Sequence, residues 1–197
     1  ASLAHRASLH LATLPTATKN AALRSMGSAL RENLDLILAE NSRDVAVASE
    51  SGADEHILDR LQITSGTIAS MVSGIEQIVL LPDPIGEVIE SRIVESGLEV
   101  SRRRVPLGVV GIIYEARPNV TVDVAAICLK SGNSVLLRGG SEAVNSNRIL
   151  VQVISDAATS EGVPAGWVET LENMDRAIVG QMLRLNSLID VIVPRGG

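Results

Sequence analysis

Beyond Pro106 the chain alternates between short, largely apolar runs and longer amphipathic stretches. Residues 109–114, 134–138, 167–171 and 191–193 have strand length. Residues 120–130, 142–159 and 175–185 have helical spacing, and Gly132, Gly162 and Pro164 fall where helices should stop. A strand without a polar face has no side to turn to water, so it belongs in a parallel sheet covered by helices on both faces. The crossovers between such strands are right-handed. The pattern therefore predicts an α/β protein built on a doubly wound parallel sheet.

What precedes this core differs in period. From Thr18, residues Leu23, Met26, Leu30, Leu34 and Ile37 recur at three and four positions and predict one helix face, with Thr16 or Thr18 as its cap. Further helices are predicted at 41–51, 54–62 and 64–81, the last stopped by Pro82-Asp83-Pro84. Residues 87–95 and 98–105, joined by Ser96-Gly97, read as a β-hairpin wet on both faces. Its Arg102-Arg103-Arg104 run reads either as a solvated edge that resists aggregation or as a polyanion contact. The expected organisation is a helical part (1–86), a hairpin arm (87–105) and a parallel α/β part (106–197).

Composition narrows the function. Phe is absent, with one Trp and one Tyr, so the core is aliphatic and no aromatic platform for nucleic acid exists. A net charge of −6 argues against a dedicated polyanion binder. A single Cys cannot form an internal disulfide, and the chain reads as intracellular. No signal-peptide core and no membrane-spanning apolar run is present. His5, His10 and His56 have no ligand-like spacing, so no metal site is expected.

Open parallel sheets bind ligands beyond the carboxyl ends of their strands. Three such ends carry the chemistry here. One reads Glu115-Ala116-Arg117-Pro118-Asn119, the second Arg138-Gly139-Gly140-Ser141-Glu142, and the third Pro194-Arg195-Gly196-Gly197. Glycines let backbone approach an anion, helix starts offer free amides, and guanidinium groups fork onto phosphate or carboxylate. Each stretch also has a plain reading, as a tight turn or a helix cap. No G-x-G-x-x-G or G-x-x-x-x-G-K-[ST] fingerprint is present. Cys128, mid-helix beside Val124 and Ile127, reads as a small buried hydrophobe rather than an activated thiolate.

Residues 105–147, VPLGVVGIIYEARPNVTVDVAAICLKSGNSVLLRGGSEAVNSN, closely resemble the γ-glutamyl phosphate reductase family, which is similar in fold to the aldehyde dehydrogenases. LATLPTATKNAAL near the start and LIDVIVPRGG at the end match as well. The resemblance implies NADPH-dependent reduction of L-glutamyl 5-phosphate to L-glutamate 5-semialdehyde in cytoplasmic proline biosynthesis, through a cysteine thioester. It implies cofactor contacts from Arg138, Gly139, Gly140, Ser141 and Glu142 at the adenosine ribose, with Arg138 at a 2′-phosphate. It also implies contacts from Pro194, Arg195, Gly196 and Gly197 beside the nicotinamide. Arg117 and Asn119 look like substrate-side residues, and the hairpin looks like the arm used for subunit pairing, so a homo-oligomer is expected. Family members are about twice this length and carry the catalytic cysteine downstream, and Cys128 does not match its motif. The chain accordingly resembles the N-terminal half, without the catalytic domain, and is expected to be inactive alone. The alternatives are a non-catalytic nucleotide-binding module, another aldehyde dehydrogenase-like acyl reductase, or the reductase half of a bifunctional pyrroline-carboxylate synthetase.

Overall fold

The structure is a computed structural model that describes residues 1–115, 117–171, 175 and 177–195. Five helices come first: α1 (Ser2–Leu11), α2 (Thr16–Glu32), α3 (Leu34–Glu50), α4 (Glu55–Leu61) and α5 (Ser65–Leu80). An antiparallel hairpin follows, β1 (Val88–Ile93) with β2 (Glu99–Arg103). The rest alternates: β3 (Val109–Tyr114), α6 (Pro118–Lys130), β4 (Ser134–Arg138), α7 (Val144–Ser160), β5 (Val168–Thr170), α8 (Ala177–Met182) and β6 (Val191–Arg195).

The four later strands form one parallel sheet in the order β5-β4-β3-β6. The chain steps outward from β3 to β4 to β5, then returns to the other side of β3. Alternation along the strands divides the core. Val110, Ile112, Val135 and Leu137 point into the large cluster that α2, α5, α6 and α7 also build. Val109 and Leu136 point the other way, onto Ala4 of α1, Met182 of α8 and Ile189. Helices therefore cover both faces, which the wholly apolar strands require.

Several local expectations need correction. The regular stripe through Leu23, Met26, Leu30, Leu34 and Ile37 is not one helix. The chain breaks at Asn33, and α3 runs unbroken to Glu50, taking in the piece expected at 41–51. Two helices share the stripe because both bury it against the same core. Neither Thr16 nor Thr18 caps α2; its cap position is Pro15, and the Thr16 hydroxyl donates to Asp83 instead (2.6 Å). Helix α1 was not anticipated as a separate element. Its buried side, Ala4, Ala7, Ser8 and Leu11, is mostly small and weakly hydrophobic, so its period is faint. The Ser134 hydroxyl donates to its Ala4 carbonyl (2.8 Å), which lets it lie close on β4. Ile127, expected beside Cys128 on the buried face of α6, is 55% exposed. Helix α8 is shorter than the expected 175–185, and Asp175 accepts from the Ala177 amide (2.9 Å) ahead of it.

The LKSGN stretch, residues 129–133 of the resembling segment, is internal wiring. In LKSGN, Asn133 accepts from the Leu107 and Gly108 amides (2.7 and 3.0 Å) and so sets the entry to β3. Gly108 sits there at φ +119°, with the Asp190 carboxylate filling the space a Cβ would need. Lys130 of the same motif is buried and donates to the Asn20 side chain (2.7 Å) and the Val79 carbonyl (3.1 Å). Beside it Lys19, 1% exposed, pairs with Asp83 at 2.5 Å. At the start of α7, the buried Asp44 accepts from the amides of Asn145 (3.2 Å) and Ser146 (2.7 Å), tying α3 to the exposed helix dipole.

Candidate cofactor and substrate site at the switch point of the sheet

A sheet wound outward from β3 and then back past it has a switch point between β3 and β6, and a crevice opens beyond the carboxyl ends of that strand pair. There Tyr114 stands opposite Arg195, and Ile113 stands opposite Arg138 on the other neighbour. Arg117 occupies the cap position of α6, which starts with Pro118. The guanidinium-bearing residues of the three predicted ends thus share one rim, although they are scattered along the sequence.

The individual residues sit as follows. Arg138 ends β4, is half-buried, and donates to the Gly139 carbonyl (3.2 Å). Gly139 and Gly140 are buried, while Ser141 and Glu142 open a 3-10 turn into solvent ahead of α7. Gly139 has a packing reason to lack a side chain: a Cβ would strike the Asn147 amide and press on the Tyr114 ring. Pro194 and Arg195 are the exposed end of β6 rather than a turn after it, because the ladder with β3 continues to Tyr114. Gly196 and Gly197 lie outside the described residues, as does Ala116.

Beneath the rim runs a buried chain of hydroxyls. The Thr121 hydroxyl donates to Asn147 Oδ1 (2.8 Å), so its single proton is used and Tyr114 donates to Thr121 (2.7 Å). Burial pushes the Tyr114 phenol up to about 12, against the Thr121 contact that lowers it. It stays neutral and holds α6 to β3 and α7. Cys128 is 6% exposed, and burial pushes its thiol up to about 12 as well. A thiol in that state is no nucleophile near neutral pH.

Asn119 and Asp123 stand one turn apart on α6 and line a cleft of about 300 Å³ with Thr67, Ser70 and Met71 of α5. Asn119 Nδ2 donates to Asp123 Oδ2 at 3.4 Å. Burial raises the Asp123 carboxyl, and the Asn119 contact and the Arg195 charge only partly offset it. Sequence reasoning missed Asp123. Its signal was present: it is the one charge between Arg117 and Lys130 in an otherwise apolar and neutral helix.

The donor set on this rim fits an anionic dinucleotide. Three guanidinium groups and an exposed Ser141-Glu142 entry to α7, behind the buried Gly139-Gly140, match phosphates and a ribose diol.

The aldehyde dehydrogenase family model matches residues 1–196. The chain belongs to this family. It is 50% identical over 197 residues to the γ-glutamyl phosphate reductase of Clostridium novyi, covering 100% of this chain and 47% of that protein. The γ-glutamyl phosphate reductase of Thermotoga maritima superimposes with a TM-score of 0.97 at 42% identity, over 100% of this chain and 47% of its own. The yeast (Saccharomyces cerevisiae) γ-glutamyl phosphate reductase gives 0.91 at 32%, over 100% and 50%. The chain spans about half the length of the relatives it matches. Aldehyde dehydrogenase-like enzymes use nicotinamide cofactors, in keeping with the rim. Among the described residues, no single helix is long and apolar enough to cross a membrane.

Proposed function

We propose that these residues form the cofactor-side half of an NADPH-dependent reductase that converts L-glutamyl 5-phosphate to L-glutamate 5-semialdehyde, in cytoplasmic proline biosynthesis. The observation that carries this reading is the whole-chain identity of 50% to a γ-glutamyl phosphate reductase. The bound nicotinamide supplies the hydride. This chain's residues bind and orient. Arg138 pairs with the 2′-phosphate, and Gly139, Gly140, Ser141 and Glu142 take the ribose. Pro194, Arg195, Gly196 and Gly197 lie beside the nicotinamide and pyrophosphate, and Arg117 and Asn119 hold the substrate. The hairpin, exposed on both faces with Ile89, Ile93, Leu98 and Val100 uncovered, serves as the arm for subunit pairing.

In this reading the attacking thiol lies outside these 197 residues, supported by the buried state of Cys128, their only cysteine. The full-length enzyme, assayed in reverse with glutamate 5-semialdehyde, phosphate and NADP, should keep its rate within about twofold in a Cys128→Ala variant, since a buried neutral thiol takes no part. The 197-residue polypeptide alone should show no turnover. Turnover by that polypeptide, abolished in Cys128→Ala, would overturn both statements.

The 2′-phosphate assignment has its own measurement. Losing one charge-assisted contact should weaken NADPH binding by Arg138→Ala about 10- to 100-fold and leave NADH binding nearly unchanged. Equal weakening of both cofactors would remove Arg138 from the 2′-phosphate.

A further inference from the structure

The α5–α6 cleft holds a carboxylate that the proposed reduction leaves without a task. Asp123 accepts one hydrogen bond among the described residues, the long one from Asn119. It is half-buried in a helix whose other residues from Val120 to Leu129 are neutral, and it faces a space of about 300 Å³. The cleft's other polar groups are already engaged: the Thr67 hydroxyl with Thr64, and the Ser70 hydroxyl with the Gly66 carbonyl. Asp123 is thus the one anionic group lining the cleft, with acceptor capacity beyond the single long bond from Asn119. From the strand side the charge of Arg195, at the exposed end of β6, acts on it.

A carboxylate that faces a cleft and feels a guanidinium charge from the neighbouring strand end is suited to a zwitterion. Resting on the proposed substrate, an acyl phosphate of an α-amino acid, we propose that the cleft takes the amino-acid end of that substrate and that Asp123 accepts a hydrogen bond from its α-ammonium. The spacing is suitable. Asn119 marks the substrate side of the rim, and Asp123 lies four residues on, about 6 Å along the helix axis. A glutamyl chain spans a comparable distance between its ammonium and its reacting carbonyl. The charge pair explains selection of an amino acid over the plain carboxylic semialdehyde, because removing the ammonium leaves the half-buried carboxylate facing the cleft with only the long Asn119 bond.

The test compares two aldehydes in the full-length enzyme, in reverse with phosphate and NADP: glutamate 5-semialdehyde, and glutaric semialdehyde, which lacks the amino group. The wild-type enzyme should prefer the amino-bearing aldehyde in kcat/KM. In Asp123→Asn that preference should shrink about 10- to 100-fold, chiefly through KM, with the NADP KM and the melting temperature unchanged. Asp123→Glu should recover part of it. An Asp123→Asn enzyme that discriminates as well as the wild type overturns this assignment and leaves the proposed function standing. A wild-type enzyme that turns over neither aldehyde overturns the proposed function itself.

Discussion

Replacing Asp83 by alanine should cost about 3–5 kcal/mol of unfolding free energy, the usual penalty for stranding a buried charge. Asp83 follows α5 and receives three donors: Lys19 Nζ (2.5 Å), the Thr16 hydroxyl (2.6 Å) and the Ile85 amide (3.0 Å). Without the carboxylate, Lys19 keeps, among the described residues, only the Lys130 carbonyl at 3.3 Å, and two buried ammonium groups are left near each other. The pH profile follows from the same contacts. Burial works to raise the Asp83 carboxyl, but Lys19, Thr16 and the Ile85 amide outweigh it, so its folded pKa lies below the unfolded one. Its contribution is therefore complete above the unfolded value of about 4 and is lost as pH falls through the lower, folded value. The Lys130 pKa is lowered as well, which for a base disfavours the charged form: burial lowers it and Asp83 opposes. Urea denaturation from pH 7 downward checks both points: the wild type should lose stability below about pH 4, and Asp83→Ala should lose less on that limb. The double variant Lys19→Met/Asp83→Leu should be more stable than the single one, since it leaves one buried ammonium, Lys130, instead of two near each other. A single-variant loss under about 1 kcal/mol would mean the pair behaves as a surface ion pair.

Trp167→Ala should be comparably severe, about 3–5 kcal/mol. The side chain is 0% exposed and is the largest fully buried one in the protein. It enters β5 and packs in the main cluster with α7 residues such as Ile154 and Ala158. The indole Nε1 is buried without a hydrogen-bond partner among the described residues. Trp167→Phe therefore forfeits volume but no hydrogen bond, and should cost about 1–2 kcal/mol. Thermal denaturation of both variants separates these contributions. A Trp167→Phe loss well above that range would show that the indole N–H is bonded after all. As the only tryptophan, it also reports unfolding directly through a red shift of its emission.

The strands were the most readable part of the chain. Residues 109–114 and 134–138 appear in the structure with the predicted limits, because a run apolar on both faces has few other places to go. The hairpin was equally plain, since its Ser96-Gly97 turn and Val/Ile/Arg/Glu mixture suit a ribbon wet on both sides. Helix ends fared worse. The break at Asn33 lies inside a continuous apolar stripe, so periodicity passes over it. The end of β6 at Arg195 rather than Val193 depends on β3 offering partners up to Tyr114, which no local window contains.

Sequence alone determined the fold class, the order of elements after Pro106 and the family, because binary pattern and a few dense motifs survive without neighbours. Tertiary structure decided which strands are adjacent, and with that the crevice between β3 and β6. It also decided that Arg117, Arg138 and Arg195 share a rim, that Lys130 of LKSGN meets Asn20, and that Asp123 rather than Cys128 faces an open cleft. Periodicity reports whether one face of one element is buried. It carries no record of what charge or space lies across from that face, and those are the quantities that make a site.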